Sequence, residues 1–187
     1  MRFLLPKKVF AVCVAVFIFF LVCFTGYAVR RIVYPLKYKE EIVEAADRYS
    51  LSRALVFSMV KVESGFKKDA ESGKGAVGLM QITVNTAEYI KEKRGLEGYD
   101  LKSVKDNLDF GCYYFRYLLN KFGETDTAII AYNAGEGRTI SWLKDERYSS
   151  DRRTLFKVPY AETKSYLKKI KESLRNYTKL YGKLLDK

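Results

Sequence analysis

The chain has 187 residues, with 34 Lys and Arg against 22 Asp and Glu, no histidine and a net charge of +12. This length accommodates one ordinary domain and an appendage. Without histidine, a Ser-His-Asp triad and every His-bearing zinc site are excluded, so any chemistry must rest on carboxylates, hydroxyls and amides.

The appendage comes first. Residues 9–29 carry no charge and are packed with Val, Phe, Ile and Leu. As a helix this run reaches about 30 Å, enough to cross a bilayer core. It reads as an uncleaved membrane anchor. The competing reading is a signal peptide cut after Gly26-Tyr27-Ala28, although the run is longer than the usual apolar region of such peptides. Arg2, Lys7 and Lys8 precede it and Arg30, Arg31 and Lys37 follow it, so flanking charge sets no orientation. Those six are the only charges in residues 1–38, which leaves a net +6 for the remainder. This moderate basic balance suits an anionic polymer surface. Nucleic acid is the rival, but no finger or helix-turn-helix signature supports it. Cys13 and Cys23 lie in the apolar run and Cys112 stands alone in the domain, so no intrachain disulfide is available there.

The domain then reads as helices. Residues 34–38 form a short linker, with Pro35 ending the anchor helix. A helix is expected over 39–49, with Ile42, Val43 and Ala46 on one face. Ser52 is placed to N-cap the next helix, which carries Leu55, Val56, Met59 and Val62 and ends at Glu63. Residues 65–78 hold four glycines and several charges and read as a loop, with at most a short β-ribbon. Thr83 caps a helix over 84–94, and 101–122 is expected to be one long helix with Leu108, Cys112, Phe115 and Leu119 on its apolar face. Its tyrosines read mostly as packing. Asp126 is taken as the cap of a helix over 127–132, which ends where Gly135 adopts the left-handed conformation. A short helix to Lys144 follows, whose Trp142 either stacks on a ligand or fills the core. Pro159 opens a last helix with a stripe of Leu167, Ile170, Leu174, Tyr177, Tyr181 and Leu184.

A carboxylate at the end of an apolar helix can be held partly dry, which raises its pKa and suits it to general-acid work, or it can be an exposed helix-end charge. Glu63 has that setting. Glu63-Ser64, Gly78-Leu79-Met80-Gln81, Ala131-Tyr132-Asn133-Ala134-Gly135 and Pro159-Tyr160-Ala161-Glu162-Thr163 occur here in one order. In order and spacing they resemble the catalytic domain of the soluble-lytic-transglycosylase (SLT) family, lysozyme-like enzymes that cut peptidoglycan glycan strands.

The resemblance covers residues 38–177 and implies a helical, all-α domain of the lysozyme-like (α+β) superfamily at 38–187, behind an anchor and linker at 1–37. It implies Glu63 as the catalytic acid, and contacts to substrate from Ser72, Gln81, Thr83, Tyr132, Asn133 and a second buried acid, Glu162. The family usually shows Met-Pro where Thr83-Val84 stands here, so Thr83 either offers a hydroxyl to a sugar or simply caps its helix. The implied reaction cleaves the bond after N-acetylmuramic acid and leaves a 1,6-anhydro end, with no metal or cofactor. Peptidoglycan strands are the implied partner of a monomeric domain outside the cytoplasm, tethered by residues 9–29. Two alternatives remain: a water-using muramidase resembling goose-type lysozyme, with Asp69 or Glu71 as second carboxylate, and a non-catalytic wall-binding protein.

Overall fold

The structure, a computed structural model, describes residues 6–185; residues 1–5 and 186–187, which include Arg2 of the flanking charges and the outer ends of the expected anchor and domain, lie outside them. The described chain forms two compact units, divided between Pro35 and Leu36. The first is one helix, α1 (Lys7–Val33), none of whose described side chains is buried. It is long and apolar enough to cross a membrane over Val9–Val33.

The second unit is built on α3 (Arg53–Ser64). Every residue from Ala54 to Val60 is buried, because this helix is covered on several sides at once. It packs against α2 (Lys39–Arg48) and, most extensively, against α8 (Ala161–Leu185). The fully buried Phe57 meets Tyr177 of α8 with ring centroids 5.4 Å apart. Ser52 caps α3 as expected, its Oγ accepting from the Leu55 amide at 3.4 Å. After a Gly-rich loop, β1 (Ala76–Val77) pairs antiparallel with β2 (Ile82–Thr83) in the register Ala76 to Thr83 and Val77 to Ile82. Then follow α4 (Val84–Arg94), α5 (Val104–Phe122), α6 (Thr125–Ala134) and α7 (Glu136–Lys144). The unit is helical apart from this ribbon.

Four local expectations are corrected. The long helix starts at Val104 rather than 101, because Ser103 caps it and the Asp106 carboxylate holds the Asp100 amide in the preceding turn. Glu124 caps α6 instead of Asp126; its carboxylate accepts from the Thr127 amide at 2.7 Å, while Asp126 faces Lys171. Gly135 has φ 92° and ψ 144°, outside the left-handed helical region, because it also begins α7 and must turn the chain straight from one helix into the next.

The fourth correction concerns α8, which starts at Ala161, with Pro159 outside it, and whose core face is rotated from the expected stripe. Thr163, Tyr166, Ile170, Ser173, Tyr177, Tyr181 and Leu185 are buried, while Leu167 and Leu174 are only half-buried and Leu184 is exposed. Trp142 is buried, edge-on to Tyr160 at 5.0 Å, and so belongs to the packing.

One buried carboxylate ties the helices beneath. Asp109 of α5 accepts from Arg48 at 2.8 Å, from the Tyr49 hydroxyl at 2.7 Å and from Arg94 at 2.5 Å. Burial works against its ionisation, but these three donors hold its carboxyl below the usual range.

Candidate active site

Glu63 lies in the last turn of α3, half-buried. The helix stops just beyond it because Gly65 takes the left-handed conformation (φ 58°) and its amide bonds back to Lys61 at 3.1 Å. Ser64 ties this end to the next motif, its hydroxyl donating to the Leu79 carbonyl at 2.9 Å. Glu63 is thus fixed over the Gly78-Leu79-Met80-Gln81 turn.

The turn itself is fixed from α5. Asn107, 1% exposed, accepts from the Met80 amide at 2.7 Å and donates to the Val77 and Leu101 carbonyls at 2.8 and 2.9 Å. Contact here is close: a Cβ on Gly78 (φ 81°) would lie 2.1 Å from Asn107 Nδ2, and one on Gly111 would lie 2.3 Å from Met80 Sδ. Gln81 holds φ 50°, unusual for a residue with a side chain, and its Nε2 donates to the Ala70 and Gly78 carbonyls at 3.1 and 3.0 Å. Both amide donors of Gln81 are therefore engaged, and Oε1 remains as an acceptor.

Burial pushes the Glu63 carboxyl up to about 7, against a smaller opposing effect from the Tyr166 hydroxyl, which donates to Oε1 at 2.5 Å. The other carboxyls with a clear shift all move down: Glu71 beside Lys102, the triply held Asp109, Asp145 beside Arg147, and Asp151 on two backbone amides. Glu63, pushed up to about 7, holds a proton near neutrality, which is the state a general acid starts from.

Tyr132 lies close to Glu63: burial and then the Glu63 charge raise its pKa far above the ordinary phenol value. Its hydroxyl donates to the Met80 carbonyl at 2.8 Å, so it braces the turn rather than the carboxyl. The hydroxyl on Glu63 belongs instead to Tyr166, which sequence reasoning missed. The signal was its position three residues after Thr163 on one face of α8, obscured by a leucine stripe that pointed elsewhere. Asn133 accepts from the Thr163 hydroxyl at 2.8 Å, which joins the end of α6 to the start of α8.

The remaining expected site residues stand further out. Ser72 is exposed; its oxygen accepts from the Lys74 and Ala76 amides at 3.3 and 3.1 Å, leaving the O–H to donate outward. The Thr83 oxygen caps α4 through the Thr86 amide at 3.2 Å and shares a hydrogen bond with the Thr86 hydroxyl. Glu162 is not a buried acid. Its side chain is 72% exposed, 3.6 Å from Lys74, because it lies on the outer face of the first α8 turn, whose buried Thr163 faces Asn133.

Comparison with known proteins bears on this geometry. The family described as Transglycosylase SLT domain matches residues 40–156. The chain belongs to that family. The SLT domain is 28% identical over 143 residues to the soluble lytic murein transglycosylase of Salmonella typhimurium, covering 73% of this chain and 22% of that protein. It is 29% identical over 168 residues to the membrane-bound lytic murein transglycosylase C of Haemophilus ducreyi, covering 75% and 45%. It also superimposes on an inactive mutant of lytic transglycosylase Slt from Pseudomonas aeruginosa with a TM-score of 0.69, at 29% identity and over 80% of this chain and 25% of that one. For a complex of the 70-kDa soluble lytic transglycosylase with bulgecin A the TM-score is 0.71, at 26% identity over the same shares. The chain therefore spans between about a fifth and a half of the length of these relatives.

Tyr166→Phe tests the carboxyl's environment directly. Loss of a donor to the charged form should raise the Glu63 pKa further, so the basic limb of the kcat/KM profile should move to higher pH while the rate falls roughly tenfold. A profile whose limb stays in place would limit Tyr166 to packing.

Proposed function

We propose that the SLT domain is a peptidoglycan lytic transglycosylase that cleaves the β-1,4 bond between N-acetylmuramic acid and N-acetylglucosamine. The observation that carries this reading is Glu63: a dry carboxyl pushed up to about 7, held by Tyr166, at the mouth of a braced polar turn. In the proposed reaction its proton passes to the glycosidic oxygen, the C1–O bond breaks, and the sugar's 2-acetamido carbonyl stabilises C1. The resulting carboxylate then takes the proton of the C6 hydroxyl, whose oxygen bonds to C1 and closes a 1,6-anhydro ring. Glu63 ends protonated and no water is consumed. Attack from within the same sugar has a high effective concentration, which favours it over water.

In this reading the Oε1 of Gln81 and the O–H of Ser72 meet sugar donors and acceptors, and Asn133 and Tyr132 complete the proposed site. The hydrolytic alternative has less support, since Glu71, a candidate second carboxylate, is exposed and paired with Lys102 at 2.9 Å. Digestion of purified peptidoglycan in heavy-oxygen water separates the two. The lyase yields anhydro ends without label; label at the muramic C1 in most products would overturn the lyase reading and leave Glu63 as an acid.

We further propose that α1 spans the cytoplasmic membrane once, with the SLT domain on its outer side, where peptidoglycan lies. The full-length protein is then expected to stay in the membrane pellet through salt and high-pH extraction. A soluble mature form beginning near Val29 would instead mark the segment as a cleaved signal.

A further inference from the structure

Helix α8 places residues in an order that its own core does not explain. It buries Ser173, whose Oγ has no hydrogen-bond partner among the described residues, yet leaves the adjacent Leu174 and the equivalent Leu167 half-buried on another face. A helix serving only the interior would do the reverse, because aliphatic burial stabilises and an unpartnered hydroxyl costs. The two leucines instead line a groove of about 510 Å³ between α8 and α6, floored by the buried Ile129.

The rim of this groove is cationic. Lys164, Lys168, Lys171 and Arg175 follow one another along α8 on the groove side, and Asp126, already paired with Lys171, is the one acid lining it. Leu167 and Leu174 are seven residues apart, two helical turns or about 10 Å. An apolar floor with that repeat, with one row of positive charge along its α8 side and Thr125 and Asp126 on its α6 side, is complementary to an amphipathic helix carrying apolar residues at i and i+7 and carboxylates along one flank of them. The leucines are half-buried along the groove, to one side of the cationic row. A flat lipid surface would meet protruding apolar side chains instead. A second copy of this chain is also a poor fit: its acidic helix, α2, has Ile42 and Ala46 fully buried in its own core. We propose that the α6/α8 groove docks an acidic amphipathic helix of a partner protein.

The test uses the full-length chain in nanodiscs and a synthetic helix with leucines at i and i+7 and glutamates beside them, together with a scrambled peptide of the same composition. Amine footprinting read by mass spectrometry reports on Lys164, Lys168 and Lys171. The ordered peptide should reduce their labelling at least threefold and saturably, and the scrambled peptide should not. Leu174→Gln, which leaves every charge in place, should abolish the protection, and Lys168→Glu should weaken peptide affinity about tenfold, with peptidoglycan cleavage unchanged in both. Equal protection by the scrambled peptide, or by the ordered peptide on Leu174→Gln, would reduce the effect to bulk charge and overturn the proposal. So would absence of protection at millimolar peptide. Protection by phosphatidylglycerol discs without peptide would assign the groove to lipid, and protection that grows with protein concentration alone would assign it to a second copy.

Discussion

Glu63→Gln should lower turnover of purified peptidoglycan by two or more orders of magnitude, because the amide keeps the shape of the acid and has no proton to give. The same substitution should make the protein more stable, in a pH-dependent way. In the folded chain burial raises this carboxyl from an ordinary 4.5 to about 7, so the folded state holds the proton more tightly than the unfolded one. Wild type therefore has its full stability below about 4.5, loses part of it as pH rises toward 7, and stays at the lower level above 7. Glutamine does not titrate there. The melting temperature of the variant should exceed that of wild type above pH 7, by the equivalent of at most about 3 kcal/mol, and the difference should vanish in acid. Clearing of peptidoglycan at the wild-type rate would remove Glu63 from the chemistry. A stability difference that ignores pH would mean the carboxyl is not dry.

The largest effect on folding is expected at Asn107→Ala. The substitution removes three hydrogen bonds together and strands the Met80 amide and the Val77 and Leu101 carbonyls beneath the turn. At roughly 1–3 kcal/mol for each of the three stranded groups, the loss is at least about 3 kcal/mol, or a fall near 10 °C or more in Tm. Circular dichroism during thermal unfolding measures it. A change under about 2 °C would show that the turn is held by its own backbone rather than by α5.

The helices and the acid were legible in the sequence because each rests on local chemistry. Ser52 and Thr83 cap where they stand, and Glu63 follows an apolar run and precedes a glycine that ends the helix. What was hidden depends on contacts between distant segments. Tyr166 is 103 residues from the carboxyl it touches, and Asn107 is 27 from the amide it satisfies. Neither a tyrosine nor an asparagine within a helix announces such a partner. The stripe on α8 misled for a related reason: periodicity identifies an amphipathic helix, but which face is buried is set by the elements packed against it, here α3 and α6. Glu162 shows the limit of a resemblance, since the matching residue type occupies an exposed turn.

The glycines around the site divide it into a part closed to change and a part open to it. In the turn and beneath it, Gly78 and Gly111 have no space for even a methyl group, so a substitution at either disrupts the packing whatever it does to substrate. In the Ser72 loop on the other side, a Cβ on Gly73 would meet nothing within 4 Å. Inherited variation can accumulate in that loop without reaching the carboxyl or its braces. Under the proposed function, a lineage altering substrate range has its freest route through the loop, and a directed library has its best starting point there.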